Sequence, residues 1–587
     1  MSCFSSYPLV KLDAASVSFA FSEQGHYDYI IVGGGTAGCV LANRLSEDPS
    51  VKVLLLERGN ARVGWATRVP LLSTNFMGDE KAAYSWPSTP LANLTGNRSL
   101  TLVTGKGLGG GSAINSMNYT RGYPQDYDLW SASGCKGWSY NEIEGYFIKS
   151  EKFVSTPQRE HHGTQGEWFV RDMGDLQFPL GRSCAEACVS LGLPYIHDIN
   201  KPQTPFNVCG KLDCTIDLHG HRNSTFHAFL PPKLVSERKS HLHICTGAAV
   251  TALDIEENAD CSHIKGVSFR EATGQNAKIY YARARCEVIL CAGAIATPQI
   301  LLLSGIGPRH KVKRPLKKEL VGVGDNLQDH MATGIMYNVP AADSLHIIQK
   351  SPLRAILELF RYIVKGEGLF MAPVAQLSIL VNSAQINDSG HIIPPESTDP
   401  AGLPDLEIKP IHFNITEPPI PHREGVLSIM VVLMRPNSRG TISLASEDPF
   451  EQPACDLAYL SDPADYAIMR KGIKLAKRIG EKMREHGAKN MTDLYMPDSE
   501  SDDDLDAFVR NFTRTNYHYS STCRMAPEND VLPGVVDDQL RVHGLSNLRI
   551  ADCSIIPIMI SAHLQASAVM IAEKCADMIK ASRLTRT

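Results

Sequence analysis

Three glycines near the start of the chain have the spacing of a dinucleotide-binding turn: Gly33, Gly35 and Gly38. The apolar run 29–32 precedes them as a buried strand would, and a helix is predicted over 39–45. Such glycines permit a tight turn, let the backbone approach a pyrophosphate and let helix and strand pack closely. Glu57 ends a second apolar strand 19 residues after Gly38, the distance expected for an acid that binds a ribose hydroxyl. The unit predicts a bound dinucleotide and leaves open whether it is FAD or NAD.

A second glycine-rich segment, 105–115, reads GKGLGGGSAIN. Glycine density of this kind allows close backbone approach and offers several N–H donors to a phosphate or to a flat ring. By itself the segment is also compatible with an ordinary flexible loop, so its interpretation depends on what surrounds it.

Longer motifs around this segment establish a family resemblance. It continues into YTRG at 119–122 and DYDLW at 126–130, and it is followed by GAIATPQILLLSGIGP at 293–308, DNLQDH at 325–330 and RPNSRG at 435–440. In this order the motifs resemble those of the glucose–methanol–choline (GMC) oxidoreductase family, especially members similar to aryl-alcohol oxidase and choline dehydrogenase. The resemblance runs from about residue 27 to residue 580. It implies an α+β fold, with a Rossmann-like α/β domain for FAD and a substrate domain of antiparallel sheet backed by helices.

The resemblance also implies that the dinucleotide is FAD rather than NAD. Ile114 stands where some family members carry a histidine bonded to the flavin, so we expect FAD to be held without a covalent link. Val250 matches a position that touches the adenine half through its backbone, and Asp552 matches one near the pyrophosphate. The residues expected to hold FAD are Gly33, Gly35, Thr36, Ala37, Gly38, Glu57, Trp86, Gly105, Gly109, Gly110, Ser112, Asn115, Val250, Tyr517, Asp552, Leu564 and Gln565. No metal site is expected.

Two histidines near the C-terminus match positions that face the flavin in the family. His518 lies in NYHYSSTCRM, and His563 lies in SAHLQ just before a helix predicted over 566–578. The chain has 20 histidines, and a single histidine is more often structural, so this assignment depends on the resemblance. An imidazole with a pKa of ~6.5 can accept the proton of an alcohol hydroxyl near neutral pH. We therefore expect His518 to act as the base, His563 to position the hydroxyl oxygen, and hydride to pass to flavin N5.

Two residues depart from the family pattern. Ser521 and Ala526 stand where glycines usually flank the TCRM block, and their side chains could shift the loop that carries His518. Lyases and a cyclase share this fold, so the alternative function is a non-redox enzyme that contains FAD and uses the two histidines for acid–base chemistry. A non-catalytic flavoprotein that binds a partner is a third hypothesis, and it leaves the two histidines unexplained.

Aromatic residues give the indications about the substrate. Tyr517 directly precedes His518, Tyr84 and Trp86 fall in a segment that often covers the flavin, and His412 and Phe413 follow a strand predicted over 406–411. Aromatic walls favour a flat or apolar substrate over a heavily hydroxylated sugar. We expect the substrate to be an aromatic or otherwise apolar primary alcohol that belongs to a biosynthetic pathway. Oxygen or a quinone is expected as the electron acceptor.

The order of elements predicts a discontinuous cofactor domain interrupted by a substrate domain. The predicted parts are an extension at 1–25, cofactor-domain segments at 26–155, 221–335 and 516–587, and substrate-domain segments at 156–220 and 336–515, with a flavin lid near 75–100.

Composition limits the partners and the compartment. The chain has 587 residues and a formal net charge of -5, which gives no reason to expect nucleic acid or an anionic membrane surface. It has no apolar run long enough for a transmembrane helix. Fifteen scattered cysteines without metal-site spacing and no clear signal peptide favour a cytoplasmic or intracellular location. Secretion is the alternative, because Asn-x-Ser/Thr sequons are frequent, although Asn118 lies inside a proposed cofactor motif and is predicted to be buried.

Overall fold

The computed structural model describes residues 7–16, 26–74, 79–155, 159–257, 262–274, 278–393, 402–416 and 419–584. Most of the predicted extension at 1–25, part of the predicted lid and the last three residues lie outside the described residues.

The dinucleotide unit forms the centre of an eight-stranded sheet, called here the first sheet. Its main order is Leu242–Thr246, Val53–Glu57, Tyr27–Val32, Tyr280–Leu290, Ser262–Glu271 and Ala248–Glu256, with Leu545–Ser546 and Leu548–Ile550 paired at the side. The first four strands are parallel, and the last three form an antiparallel meander. Every residue of Tyr27–Val32 is buried, as a central parallel strand requires, which explains its continuous apolar run.

Two helices that are distant in sequence pack together under the glycine turn. Helix Thr36–Leu45 begins three residues earlier than predicted, and helix Gln565–Leu584 lies against it. Arg44 joins them, because its guanidinium donates to the buried Glu573 carboxylate at 2.7–3.0 Å and to Glu167 at 2.7 Å. Breaking a buried pair of this kind costs several kcal/mol. The C-terminal segment with His563 is therefore fixed to the first sheet.

A second eight-stranded sheet is almost entirely antiparallel. Its main order is Thr492–Tyr495, Met331–Val339, Gly425–Leu433, Leu406–Ile411, Leu377–Val381, Val208–Lys211 and Tyr195–Ile196, with Arg514–Thr515 paired to Met331–Val339. The strand predicted at 406–411 has those bounds. The predicted domain boundary at 335 falls within Met331–Val339, which lies wholly in this second sheet.

A long helix, Pro463–Glu485, covers one face of the second sheet together with Pro179–Ser190. A Cβ at Gly472 would lie 2.5 Å from the Val431 side chain, so this glycine is required for the close packing of helix on sheet.

The remaining elements connect the two sheets. A four-stranded sheet has the order Asn118–Tyr119, Asp213–Cys214, Trp168–Asp172 and Glu151–Val154, and three ribbons pair Ala83–Pro87 with Thr101–Gly105, Ile306–Gly307 with Lys318–Glu319, and Thr441–Ser443 with Ala454–Asp456. The other α-helices are Leu12–Ala15, Pro70–Ser73, Pro124–Ala132, Tyr140–Ser150, Thr225–Phe229, Pro232–Glu237, Gly293–Leu303, His346–Lys350, Pro352–Lys365 and Asp502–Phe512. The architecture is the α+β fold predicted from the sequence.

Two further expectations can be compared with the structure. Within the described ranges, no helix has the length and apolarity needed to cross a bilayer. Asn118 is only 4% exposed, so the expectation that this sequon is buried is confirmed.

Candidate active site

The glycine turn directly follows the central strand of the first sheet. Gly33 has φ +104°, and a Cβ there would lie 2.5 Å from the Cys291 carbonyl oxygen, so only glycine fits. A Cβ at Gly38 would overlap the Gly33 carbonyl oxygen. The helix then begins at Thr36, and Thr36 and Ala37 line a large cavity. The turn therefore presents a helix N-terminus to this cavity, which suits a phosphate.

Glu57 connects three glycine segments from its place at the end of its strand. Its carboxylate accepts N–H bonds from Gly34 at 2.8 Å, Gly59 at 2.6 Å and Gly107 at 3.2 Å. Burial raises the pKa of Glu57, while these N–H donors oppose that rise. The side chain also lines the cavity, at the position predicted for an acid that binds ribose.

The second glycine segment folds over the first. The N–H of Gly109 donates to the Gly34 carbonyl at 2.8 Å, and the N–H of Ser112 donates to the Thr36 hydroxyl at 3.2 Å. Asn115 donates to the side chain of Gln565 at 2.8 Å, which connects the segment to the start of the C-terminal helix. These bonds give the segment a fixed place, as a phosphate- or ring-binding loop requires.

Arg222 holds this segment in place, a role that none of the sequence motifs predicts. Its side chain is fully buried and donates to the Ser112 carbonyl at 3.0 Å, the Asn115 side chain at 2.9 Å and the Asn115 carbonyl at 2.5 Å. Burial lowers the pKa of Arg222 to about 9. Its neighbours in the sequence, HGHRNST, match none of the family motifs used for prediction, so no signal pointed to it.

The cavity has a volume of about 980 Å³ and reaches from the glycine turn to both histidines. Of the nineteen residues predicted for the site, all except Gly38 and Gly109 line it. The carboxylate of Asp552 accepts from the Gly293 N–H at 2.9 Å and from the Thr297 hydroxyl at 2.7 Å. Phe413 also lines the cavity, whereas His412 is buried against Phe178, with ring centroids 4.4 Å apart.

His518 and His563 lie together at one end of the cavity, with ring centroids 5.0 Å apart. The backbone N–H of His518 donates to Asp329 at 2.7 Å, and its Nδ1 atom lies 2.8 Å from Nδ1 of His330. Burial, followed by nearby cationic groups, lowers the pKa of His518 well below 6.5, and burial lowers that of His330 to about 3. Both rings are therefore neutral at physiological pH.

Backbone hydrogen bonds hold the loop around His518 at both positions that depart from the family pattern. Ser521 has φ 73°, in the left-handed region that favours glycine, and its N–H donates to the Cys553 carbonyl at 3.1 Å. Ala526 is buried, and its N–H donates to the Val536 carbonyl at 3.1 Å. The serine thus occupies a glycine-like conformation, at a cost of about 1 kcal/mol.

Two charged residues beside His563 were not predicted from the sequence. Glu407 and Lys409 point to one face of strand Leu406–Ile411, and both are at most 4% exposed. Nε2 of His563 lies 3.0 Å from the Glu407 carboxylate and 3.3 Å from Nζ of Lys409. The Glu407 carboxylate and Nζ of Lys409 are themselves 3.1 Å apart. Burial would raise the pKa of Glu407, but the attraction of His563 and Lys409 outweighs it and holds that pKa well below 4.5.

The geometry of the cavity by itself meets the requirements of an FAD site. It combines a glycine turn that no larger residue could form, a helix N-terminus and a buried acid at the end of the second strand. Because it is continuous, one elongated ligand can reach from the turn to the two histidines. Gly33, Thr36, Glu57, Ser112 and Asp552 are among the residues that would hold such a ligand.

Comparisons with known proteins agree with this geometry. GMC oxidoreductase family models match residues 27–332 and 436–572. The chain therefore belongs to the GMC oxidoreductase family, and it is an FAD-dependent oxidoreductase.

Its relatives include an oxygen-dependent choline dehydrogenase of Pseudomonas savastanoi, which is 33% identical over 95% of this chain and 94% of the relative. A dehydrogenase of Strobilurus tenacellus is 30% identical, with 94% of each chain covered. The structure of a formate oxidase superposes with a TM-score of 0.83 at 26% identity, over 96% of this chain and 99% of the other.

Proposed function

We propose that this enzyme oxidises an alcohol to an aldehyde or ketone between His518 and His563. The observation that carries the proposal is the position of both rings, 5.0 Å apart, at the end of the cavity that begins at the glycine turn. FAD, when bound, supplies the acceptor for the two electrons and the hydrogen that leave the substrate carbon.

His518 is proposed as the base that takes the hydroxyl proton. Its Nδ1 atom is engaged by His330, so its Nε2 atom remains for the substrate. The lowered pKa keeps the ring neutral, as a proton acceptor must be. The hydrogen bond from the His518 backbone N–H to Asp329 holds the main chain that carries the ring.

His563 is proposed to position the hydroxyl oxygen. Glu407 and Lys409 both contact its Nε2 atom, which leaves Nδ1 for the substrate. Its backbone N–H donates to the Thr120 hydroxyl at 2.9 Å, so the ring is fixed from both sides. Holding the reacting oxygen between two fixed imidazoles lowers the entropic part of the barrier.

We assign the first sheet to the FAD domain and the second sheet to the substrate domain. Gly33, Glu57, Val250 and Asp552, predicted to hold FAD, come from strands of the first sheet or the turns that follow them, whereas Glu407 and Lys409 come from a strand of the second sheet and Phe413 from the loop after it. Ile114 is 5% exposed and has no group that can bond covalently to a flavin, which supports non-covalent binding.

The substrate is proposed to be an aromatic or otherwise apolar primary alcohol. Tyr84, Trp86, Phe413 and Tyr517 all line the cavity, together with aliphatic residues such as Ile411 and Met430. Relatives include choline and alcohol dehydrogenases, which favours redox chemistry over the lyase or cyclase alternative. Oxygen or a quinone is proposed as the final electron acceptor.

The test is an anaerobic absorbance titration of the purified holoenzyme. Benzylic and long-chain alcohols are expected to bleach the flavin band, whereas glucose is expected to leave it unchanged. A flavin band that no alcohol in a broad panel bleaches would contradict the proposed oxidation and favour the non-redox alternative. Efficient bleaching by glucose alone would contradict only the substrate class.

A further inference from the structure

Helix Pro352–Lys365 presents its apolar side to solvent. Of the 20 large apolar side chains exposed in the described ranges, six lie on this one helix. They are Leu353, Ile356, Leu357, Phe360, Ile363 and Val364, each between 54% and 69% exposed. Their spacing of three and four residues places them in one continuous stripe, called here the apolar stripe.

The opposite side of the helix is the one that packs on the protein, and it carries polar groups. Glu358 and Tyr362 are its buried residues. The Glu358 carboxylate accepts the Leu369 N–H at 2.9 Å and an ion pair from Arg354 at 2.7 Å. A helix in a globular protein normally buries its apolar side, so this inverted orientation marks an interaction surface.

Basic residues lie along one border of the apolar stripe. Arg354, Arg361 and Lys365 follow one another at spacings of seven and four residues, which places them in a row on one side of the helix. The segment 350–367 contains four basic and two acidic residues, within a chain whose net charge is -5. The charge of the whole chain gave no indication of an anionic surface partner, because the positive charge is local to this helix.

We propose that this helix binds the surface of a bilayer that contains anionic phospholipid. A helix of 14 residues is about 21 Å long, which is too short to span a bilayer but suits an orientation parallel to its plane. A large apolar stripe bordered by basic residues is the pattern of helices that insert shallowly among lipid headgroups. In a symmetric pairing with a second copy, the same basic row would be repeated on both partners, which favours an anionic surface over self-association.

The helix is also close to the wall of the active-site cavity. Tyr362, on its inner side, packs in one cluster with Leu71 and Ile348, and both of these residues line the cavity. Leu72 lines the cavity as well and is 41% exposed, so the cavity wall reaches the surface in this region. A bilayer bound to the apolar stripe would therefore lie near the cavity and favour alcohols that partition into lipid.

The experiment is flotation of the full-length holoenzyme with vesicles, which is independent of turnover. Vesicles of phosphatidylcholine mixed with phosphatidylglycerol are compared with phosphatidylcholine alone. The wild type is expected to float with the mixed vesicles and at least about tenfold less with the neutral ones, and high salt is expected to weaken the binding.

A matched pair of variants locates the surface. Ile356→Asp/Phe360→Asp changes only exposed positions and is expected to abolish flotation while flavin content and alcohol oxidation stay unchanged. Val531→Asp/Leu532→Asp makes the same change at exposed positions of another loop and is expected to float like the wild type.

Three outcomes would overturn the proposal. The first is failure of the wild type to float with either kind of vesicle, and the second is equal loss of flotation in both variants. The third is a wild-type dimer in light scattering that Ile356→Asp/Phe360→Asp converts to a monomer without any vesicle binding. This third outcome would assign the apolar stripe to contact between two copies of the chain.

Discussion

The Nδ1 atoms of His330 and His518 lie 2.8 Å apart and share one hydrogen bond. When both rings are neutral, this hydrogen bond requires that one ring carries its proton on Nδ1 and that the other ring accepts through an unprotonated Nδ1. If His518 donates, its Nε2 atom has a free lone pair and can accept a proton from the substrate. If His330 donates, Nε2 of His518 carries a hydrogen and cannot act as a base. The proposed chemistry therefore requires His330 to be the acceptor.

This relationship predicts different effects for two substitutions of His330. His330→Asn keeps an oxygen that can accept from His518 Nδ1, whereas His330→Leu has no acceptor. We expect kcat to fall about 10- to 100-fold in His330→Leu and less than about tenfold in His330→Asn, with FAD retained in both. Steady-state kinetics and the absorbance spectrum measure these effects. Equal activity of the two variants would show that the contact does not set the tautomer.

Removal of the proposed base is the most direct test of the site. His518→Ala is expected to lower kcat by about 100- to 10,000-fold, because general-base catalysis contributes that much. The FAD absorbance is expected to remain, since the glycine segments that line the other end of the cavity are unchanged. His310→Ala, at an exposed position outside the cavity, is the control and should keep full activity. Near-normal turnover of His518→Ala would assign the base elsewhere.

The pH profile should reflect the lowered pKa of His518. A base with a depressed pKa is neutral above that depressed value and becomes protonated only as the pH falls through it. We therefore expect kcat/KM to stay constant from about pH 8 down through ~6.5, the ordinary histidine value, and to fall only in more acidic buffer. A fall in kcat/KM that begins at or above pH ~6.5 would contradict the conclusion that burial lowers the pKa of His518.

The buried pair of Glu407 and Lys409 should show strong coupling in stability. Glu407→Gln leaves the Lys409 ammonium buried beside His563 without its carboxylate, which is expected to lower the free energy of unfolding by about 3 to 5 kcal/mol. The double variant Glu407→Gln/Lys409→Met is expected to recover part of this loss, because the unpaired charge is removed. Denaturant unfolding of the singles and the double measures the coupling.

The sign of the pH effect on this pair follows from the pKa of Glu407. Because its folded pKa lies well below 4.5, the carboxylate's contribution to stability is present above the ordinary carboxyl pKa and lost as the pH falls through the folded value. The stability difference between wild type and Glu407→Gln should therefore shrink in acid. A difference that grows in acid would contradict the ionised pair.

Arg222 should control the retention of FAD rather than the chemical step. Arg222→Met removes the donors that hold the carbonyls of Ser112 and Asn115, so the second glycine segment should loosen. We expect FAD to dissociate at least about tenfold more readily, measured by free-flavin fluorescence on dilution. Arg222→Lys keeps a positive charge and some donors and should be intermediate. Unchanged FAD retention in Arg222→Met would show that Arg222 is not needed to hold the second glycine segment for FAD binding.

The predictable part of the site is encoded in local sequence. Gly33, Gly35 and Gly38 are required by a turn whose geometry involves only nearby backbone, and Glu57 follows at a fixed distance along the same unit. The strand at 406–411 was also predicted with its observed bounds. Its alternating pattern placed Glu407 and Lys409 on one side but could not show that this side faces His563.

By itself, the sequence determined the family, the dinucleotide-binding turn and a few buried strands, and it singled out the two histidines, because motif spacing and periodicity are properties of short segments. Only the tertiary structure decided what surrounds the histidines. His330, Glu407 and Lys409 lie between 154 and 188 residues from the histidines they contact. His330 reaches His518 because strand Met331–Val339 pairs with Arg514–Thr515, whereas Glu407 and Lys409 reach His563 from strand Leu406–Ile411 of the second sheet. The same holds for the apolar stripe of helix Pro352–Lys365, since an amphipathic sequence alone does not show which side of a helix faces solvent.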